Sequence, residues 1–159
     1  MPTLPSLEVT DIQQLDQILS DLVVAADVTV AAIIDKGGFL ITLRGDSRQF
    51  DLTTIAALAS GAYLANQTIA NLVGEENFDS VYQQGEKNSM FVLNVDEYSL
   101  LALIFRVGSS VGAVKYYSIH AGKRIALQLK AAKERNPENG LDLSELNLAD
   151  TSELFHRKA

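Results

Sequence analysis

The alternation of apolar and polar positions divides this chain into helical and extended segments separated by turns. Ile12, Leu15, Ile18, Leu19, Leu22 and Val23 recur at helical spacing, with Asp11, Gln14, Asp16, Gln17 and Asp21 between them. An amphipathic helix follows, capped by Thr10 with Gln13 as its capping-box partner, and ending near Ala26. Val28 to Ile34 (VTVAAII) is β-branched and nearly free of polar groups, which predicts an interior strand. Asp35 to Gly38 reads as a turn. Phe39 to Arg44 then sets Phe39, Ile41 and Leu43 against Leu40, Thr42 and Arg44, completing a hairpin. A polar link, Gly45 to Phe50, leads to Asp51, which is placed to cap a second helix.

That second helix, Leu52 to Val73, carries no charged residue. A helix at a protein surface normally shows charge on one side. Here Ile55, Leu58, Ala59, Ala62, Ile69 and Leu72 form an apolar stripe, and the opposite side carries Ala57, Gly61, Leu64, Thr68 and Asn71. Two readings fit: a helix central to one core, or a helix shared between the chain's own sheet and a partner chain. The second is favoured, because both sides are small and uncharged.

Phe78 to Gln84, Ser89 to Val95 and Tyr98 to Val107 read as three further strands, with turns at Gly85–Asn88 and Asp96–Glu97. The last, YSLLALIFRV, is almost wholly apolar and predicts a central strand. Ser109 or Ser110 caps a long final helix with Val111, Val114, Ala121, Ile125 and Leu129 inward. Lys123, Arg124, Lys130 and Lys133 suit the negative end of its dipole, and Pro137 and Gly140 end it. The order α-β-β-α-β-β-β-α predicts an α/β (α+β) sandwich with one five-stranded sheet rather than βαβ repeats. Residues 8–135 form the domain and residues 136–159 a C-terminal extension. The extension is acidic, with Leu141, Leu143, Leu146, Leu148, Leu154 and Phe155 among its charges. It reads equally as a short helix folded back on the body, an element for a partner, or a tail.

Composition narrows the function more than it narrows the fold. Net charge is -7 with no basic block, which argues against a nucleic-acid partner. There is no cysteine, hence no thiol nucleophile or thiolate metal site. The start MPTLPSLEVTD lacks the features of a signal peptide, and no apolar run is long enough for a bilayer. A cytoplasmic location is the resulting expectation.

His120 reads as a helix-flank residue, and His156 has no neighbour in sequence to work with. Gly37-Gly38 lacks a phosphate-loop context, and Ser109-Ser110 lacks that of a nucleophile. The glutamate and aspartate pairs Glu75-Glu76 and Asp96-Glu97 read as solvated loop charge. Arg44, Arg48 and Arg106 are the side chains to weigh as an arginine finger, with Arg48 the freest, and a single loop arginine is weak support for that role. The expectation is a binder without catalytic residues, metal or cofactor.

The hairpin VTVAAIIDKGGFLI, the helix LTTIAALASGAYLANQTIANLVGE, the strand LLALIF and the segment SSVGAVKYYSIHAGKRIALQL together resemble the Roadblock/LC7 family. GEENFDSVYQQGEKNSMFVLNVDEYSLLALIF narrows the likeness to its MglB-type bacterial and archaeal regulators of Ras-like GTPases. The resemblance covers about residues 10 to 133. It implies a profilin-like sandwich, antiparallel in its sheet, and a homodimer joined through the uncharged helix and the third strand. Ala57, Gly61, Leu64, Thr68, Asn71 and Val81 would form that interface. It further implies a GTPase-activating protein that binds a GTP-loaded, MglA-like small GTPase and favours its intrinsic hydrolysis without supplying an arginine. Gln13, Gln17, Arg44 and Arg48 would face the GTPase. A dimeric scaffold in a signalling or motility complex is the alternative, and a small-ligand sensor a more distant third.

Overall fold

A computed structural model describes residues 4–136, so the extension after Asn136, with its leucines and His156, lies outside the described residues. The elements are α1 (Val9–Ala26), β1 (Val30–Asp35), β2 (Leu40–Gly45), α2 (Leu52–Leu72), β3 (Ser80–Gln84), β4 (Asn88–Asn94), β5 (Ser99–Arg106) and α3 (Val111–Arg135). Their order is the one the hydrophobic pattern predicts. They build one antiparallel sheet, β2-β1-β5-β4-β3, with helices on both faces.

The apolar strand β5 lies at the centre, where both faces are covered and every residue from Ser99 to Phe105 is buried. Successive side chains of a strand point to opposite faces. Accordingly Leu101, Leu103 and Phe105 join Ala31, Ile33, Phe91 and Leu93 in the core under α1 and α3. Leu100, Ala102 and Ile104 turn the other way, with Val30, Ala32, Ile34 and Val92, toward α2. β2 departs from the simple alternation expected for it. Ile33 pairs with Thr42 but Ile34 with Leu40, so Ile41 is the extra residue of a bulge. Ile41 therefore packs toward α1 and α3, while Leu40 and Leu43 both pack toward α2.

The first helix starts two residues earlier than predicted, with Glu8 rather than Thr10 at the cap. The Glu8 amide donates to the Asp11 carboxylate at 2.8 Å, and Asp11 is wholly buried. Gln128 Nε2 donates to the same carboxylate at 2.8 Å, and Arg135 forms an ion pair with it. Together with the Arg124–Asp21 pair, these contacts hold α1 and α3 antiparallel. Burial alone would raise the Asp11 pKa, but the bonds from Glu8, Gln128 and Arg135 outweigh it and hold the carboxyl below its ordinary value.

α2 lies alone on the other face, and its inward side is rotated from the predicted stripe. The buried positions are Leu52, Ala56, Ala59, Ser60, Tyr63 and Ala70. Of the predicted stripe, Leu58, Ala62, Ile69 and Leu72 are exposed instead. The helix lies close to the β1–β2 turn, where the α-carbon of Ala57 is 3.3 Å from where a side chain on Gly38 would begin. Near that turn the inward positions are the small Ala56, Ala59 and Ser60, while Leu52 and Tyr63 fill the space further along on either side. The Ser60 hydroxyl donates to the Lys36 carbonyl, and the Lys36 ammonium lies 5.3 Å from the Tyr63 ring centre.

Gly45 ends β2 at φ +104°, and a β-carbon there would fall 2.4 Å from the Thr29 carbonyl oxygen. Gly45→Ala is expected to cost at least the roughly 1–3 kcal/mol of an unfavourable backbone conformation. A lowered urea midpoint checks this, and an unchanged midpoint would mean that β2 relaxes without strain.

Candidate partner-binding surface

The outward side of α2 is an apolar surface with no charge on it. Leu58 is 69% exposed, Leu72 81% and Val73 64%, with Leu64 and Ile69 about half exposed. Patches of this kind on a folded chain mark interaction surfaces. The five α2 residues assigned to the interface from sequence (Ala57, Gly61, Leu64, Thr68 and Asn71) are all exposed. Leu58, Ala62, Ile69 and Leu72, expected in the core, enlarge the same surface.

β3 continues it. This edge strand pairs only with β4, leaving its outer backbone groups without a strand partner among the described residues. Val81 pairs with Val92, and Val92 packs under α2, so half-buried Val81 faces the α2 side of the sheet. Between α2 and β3–β4 the sheet is incompletely covered. A groove of about 530 Å³ remains there, lined by Ile55, Leu58, Ala62, Gln83, Met90 and Ile104 among others. Helix face, groove and strand edge thus form one continuous region.

The residues assigned to GTPase contact fall into two places. Gln13 and Gln17 are exposed one turn apart on α1, and Gln17 donates to Asp21 at 2.9 Å. Arg44 reaches across from β2 to pair with Asp16, which also accepts from the Thr42 hydroxyl. Asp16, not singled out from sequence, lies between the two glutamines along α1 and is the residue that holds Arg44. Arg48 stands apart in the loop after β2, 87% exposed and held by Asp46 through bonds of 2.9 and 2.8 Å. Those bonds lower the Asp46 pKa to about 2. Arg106 opens onto a separate depression of about 470 Å³ that also includes Lys87, Glu86 and Asp46.

The Roadblock/LC7 domain model matches residues 14–105. The chain belongs to the Roadblock/LC7 family. Its profilin-like fold is similar to that of several solved MglB proteins. One, described as MglB with a tetrameric arrangement, is 25% identical with a TM-score of 0.77, covering 80% of this chain and 96% of its own. The gliding protein MglB from Thermus thermophilus is 25% identical over the same shares, with a TM-score of 0.76. Myxococcus xanthus MglB is also 25% identical, with a TM-score of 0.75 over 80% of this chain and 95% of that one. Among curated proteins no significant match was found.

Within this Roadblock domain, His120 lies exposed on α3 with its ring 4.6 Å from that of Tyr116, a helix-flank position. No three His, Asp or Glu side chains gather as a metal site among the described residues. Nor is any described helix long and apolar enough to cross a membrane. Lys36 is the least conventional cation. Burial lowers its pKa against the opposing charges of Asp96 and Glu97, and its ammonium donates to the Asp96 carbonyl at 2.6 Å. That bond, with Tyr63, ties the two hairpin turns to α2, which makes Lys36 a structural residue.

Proposed function

We propose that this Roadblock/LC7 protein is a homodimer that regulates a Ras-like small GTPase of the MglA kind, acting on the GTP-loaded form from the cytoplasm. It accelerates hydrolysis by favouring the GTPase's own catalytic arrangement and supplies no catalytic side chain or cofactor. The observation that carries the reading is the uncharged α2 face running into the edge strand β3, which has no outer strand partner among the described residues. Two copies meeting there would bury the apolar helix surfaces and pair the β3 edges, giving one sheet across both protomers. Self-association is supported by the tetrameric arrangement described for a similar MglB.

The GTPase would meet the polar surface formed by Gln13, Gln17 and Arg44, with Arg48 at its margin. Both arginines are tied to carboxylates of their own chain, Arg44 to Asp16 and Arg48 to Asp46. An inserted finger would have to leave those partners, which supports activation without one. The test is phosphate release from a GTP-loaded MglA-like GTPase with Arg44→Ala and Arg48→Ala variants. Weaker binding is expected at Arg44, with the rate at saturation kept. Loss of the roughly 10³–10⁵-fold that an arginine finger supplies would overturn this mechanism. Binding with no change in hydrolysis would make the protein a scaffold instead.

A further inference from the structure

On the α1/α3 face, α3 leaves a second groove of about 450 Å³ over the β3–β4 end of the sheet. Phe91 and Leu93 lie at its floor, Ile119 and Ala126 on its α3 wall, and Lys115, Lys123 and Asp79 at its rim. Ile119 is 46% exposed there. Both lysines are exposed, and neither forms an ion pair among the described residues. An apolar floor, with a rim in which two unpaired lysines outnumber the one carboxylate of Asp79, describes a seat for an acidic, apolar stretch of polypeptide.

We propose that the occupant is this chain's own segment Leu141–Phe155. Its leucines and Phe155 supply apolar groups, and Asp142, Glu145, Asp150 and Glu153 supply charge opposite to the rim, with no basic residue between. The chain also has the reach. From Arg135 back to Lys123 along α3 is about 18 Å at ~1.5 Å per residue. Residues 136–140 span about 16 Å when extended at ~3.3 Å per residue, which brings Leu141 to the start of the groove. So placed, the segment would follow α3 toward Lys115, with its carboxylates within reach of the two lysines. This docking uses the face opposite α2 and does not depend on the GTPase reading.

The absence of cysteine allows a single nitroxide to be attached through Ser144→Cys in the full chain. Loss of methyl signals from Leu93, Ile119 and Ala126 is expected, with those of Leu58 and Ile69 on α2 unaffected. Lys115→Glu combined with Lys123→Glu should restore the lost signals while circular dichroism stays that of the folded protein, since both side chains are exposed. Nitroxide-bearing chains without isotope are also mixed with isotope-labelled chains without nitroxide. Loss carried equally in that mixture would assign the groove to a second copy's segment and overturn docking of the chain's own. No loss at the three methyls, or loss at the α2 residues, would overturn it as well. So would persistence of the loss in the double lysine variant.

Discussion

Gly61→Arg is expected to turn a dimeric protein into a folded monomer. Gly61 lies in the middle of the exposed α2 face, and a side chain begun there meets nothing within 4 Å of its own chain. The substitution even favours the helix, since glycine costs about 0.8–1.0 kcal/mol relative to alanine in a helix interior. In the proposed dimer the guanidinium would meet the partner's α2 face, which carries no carboxylate, because α2 has no charge from Leu52 to Leu72. An unpaired buried charge costs about 3–5 kcal/mol. At ~1.4 kcal/mol per tenfold, that weakens association by roughly 10²–10³-fold or more, and twice over if the two copies of residue 61 face each other. Light scattering after size exclusion reads the mass, and thermal melting shows that the fold persists. A variant that stays dimeric would place the interface elsewhere, as would an unmodified chain that is monomeric.

Asp11→Ala is expected to produce the other large effect, this time on folding. The carboxylate is wholly buried and joins the start of α1 to Gln128 and Arg135 at the end of α3. Its removal should cost about 3 kcal/mol, the lower end for breaking a buried pair, because Arg135 keeps partial access to water. The effect carries a pH signature. Asp11 has a folded pKa below its unfolded value of 3.8, so its stabilisation is present above that value and is lost as pH falls through the folded pKa. Urea midpoints of the unmodified chain and the variant should therefore differ most near neutrality and converge in acid. A difference that does not shrink on acidification would assign the effect to packing rather than to charge.

The fold is largely readable in the sequence because each element announces its own period. β5 is apolar throughout, α1 and α3 have clean helical stripes, and the turns carry Gly, Asp and Asn where they are needed. Local pattern misleads where distant residues decide. Thr10-x-x-Gln13 is the stronger local cap, yet Glu8 takes the position, its amide bound by an Asp11 that also meets Arg135, 124 residues away. The rotation of α2 has the same origin. Its largest aliphatic residues would ordinarily point inward, but close approach to the β1–β2 turn favours Ala56, Ala59 and Ser60 there. Ser60 also finds the Lys36 carbonyl. Tyr63 is the available clue, since Leu52, Ala56, Ala59, Tyr63 and Ala70 form an equally regular helical stripe.

The same distinction separates the two arginines proposed to face the GTPase. Asp46 and Arg48 are two positions apart, so their pairing can be anticipated from local spacing. Asp16 and Arg44 are 28 positions apart and become neighbours only when α1 packs beside β2. The bulge at Ile41 is hidden for a similar reason, because it exists only in the pairing of β2 with β1. The uncharged, exposed face of α2 is legible in the sequence because the absence of charge survives any error in its rotation.

Whether that surface serves GTPase regulation is read most directly from single-turnover phosphate release by a GTP-loaded MglA-like GTPase, alone, with the unmodified protein and with Gly61→Arg. The expected result is a rate raised by the unmodified dimer and returned toward basal by the folded monomer. A basal rate with the unmodified protein at every concentration would contradict the proposed activation.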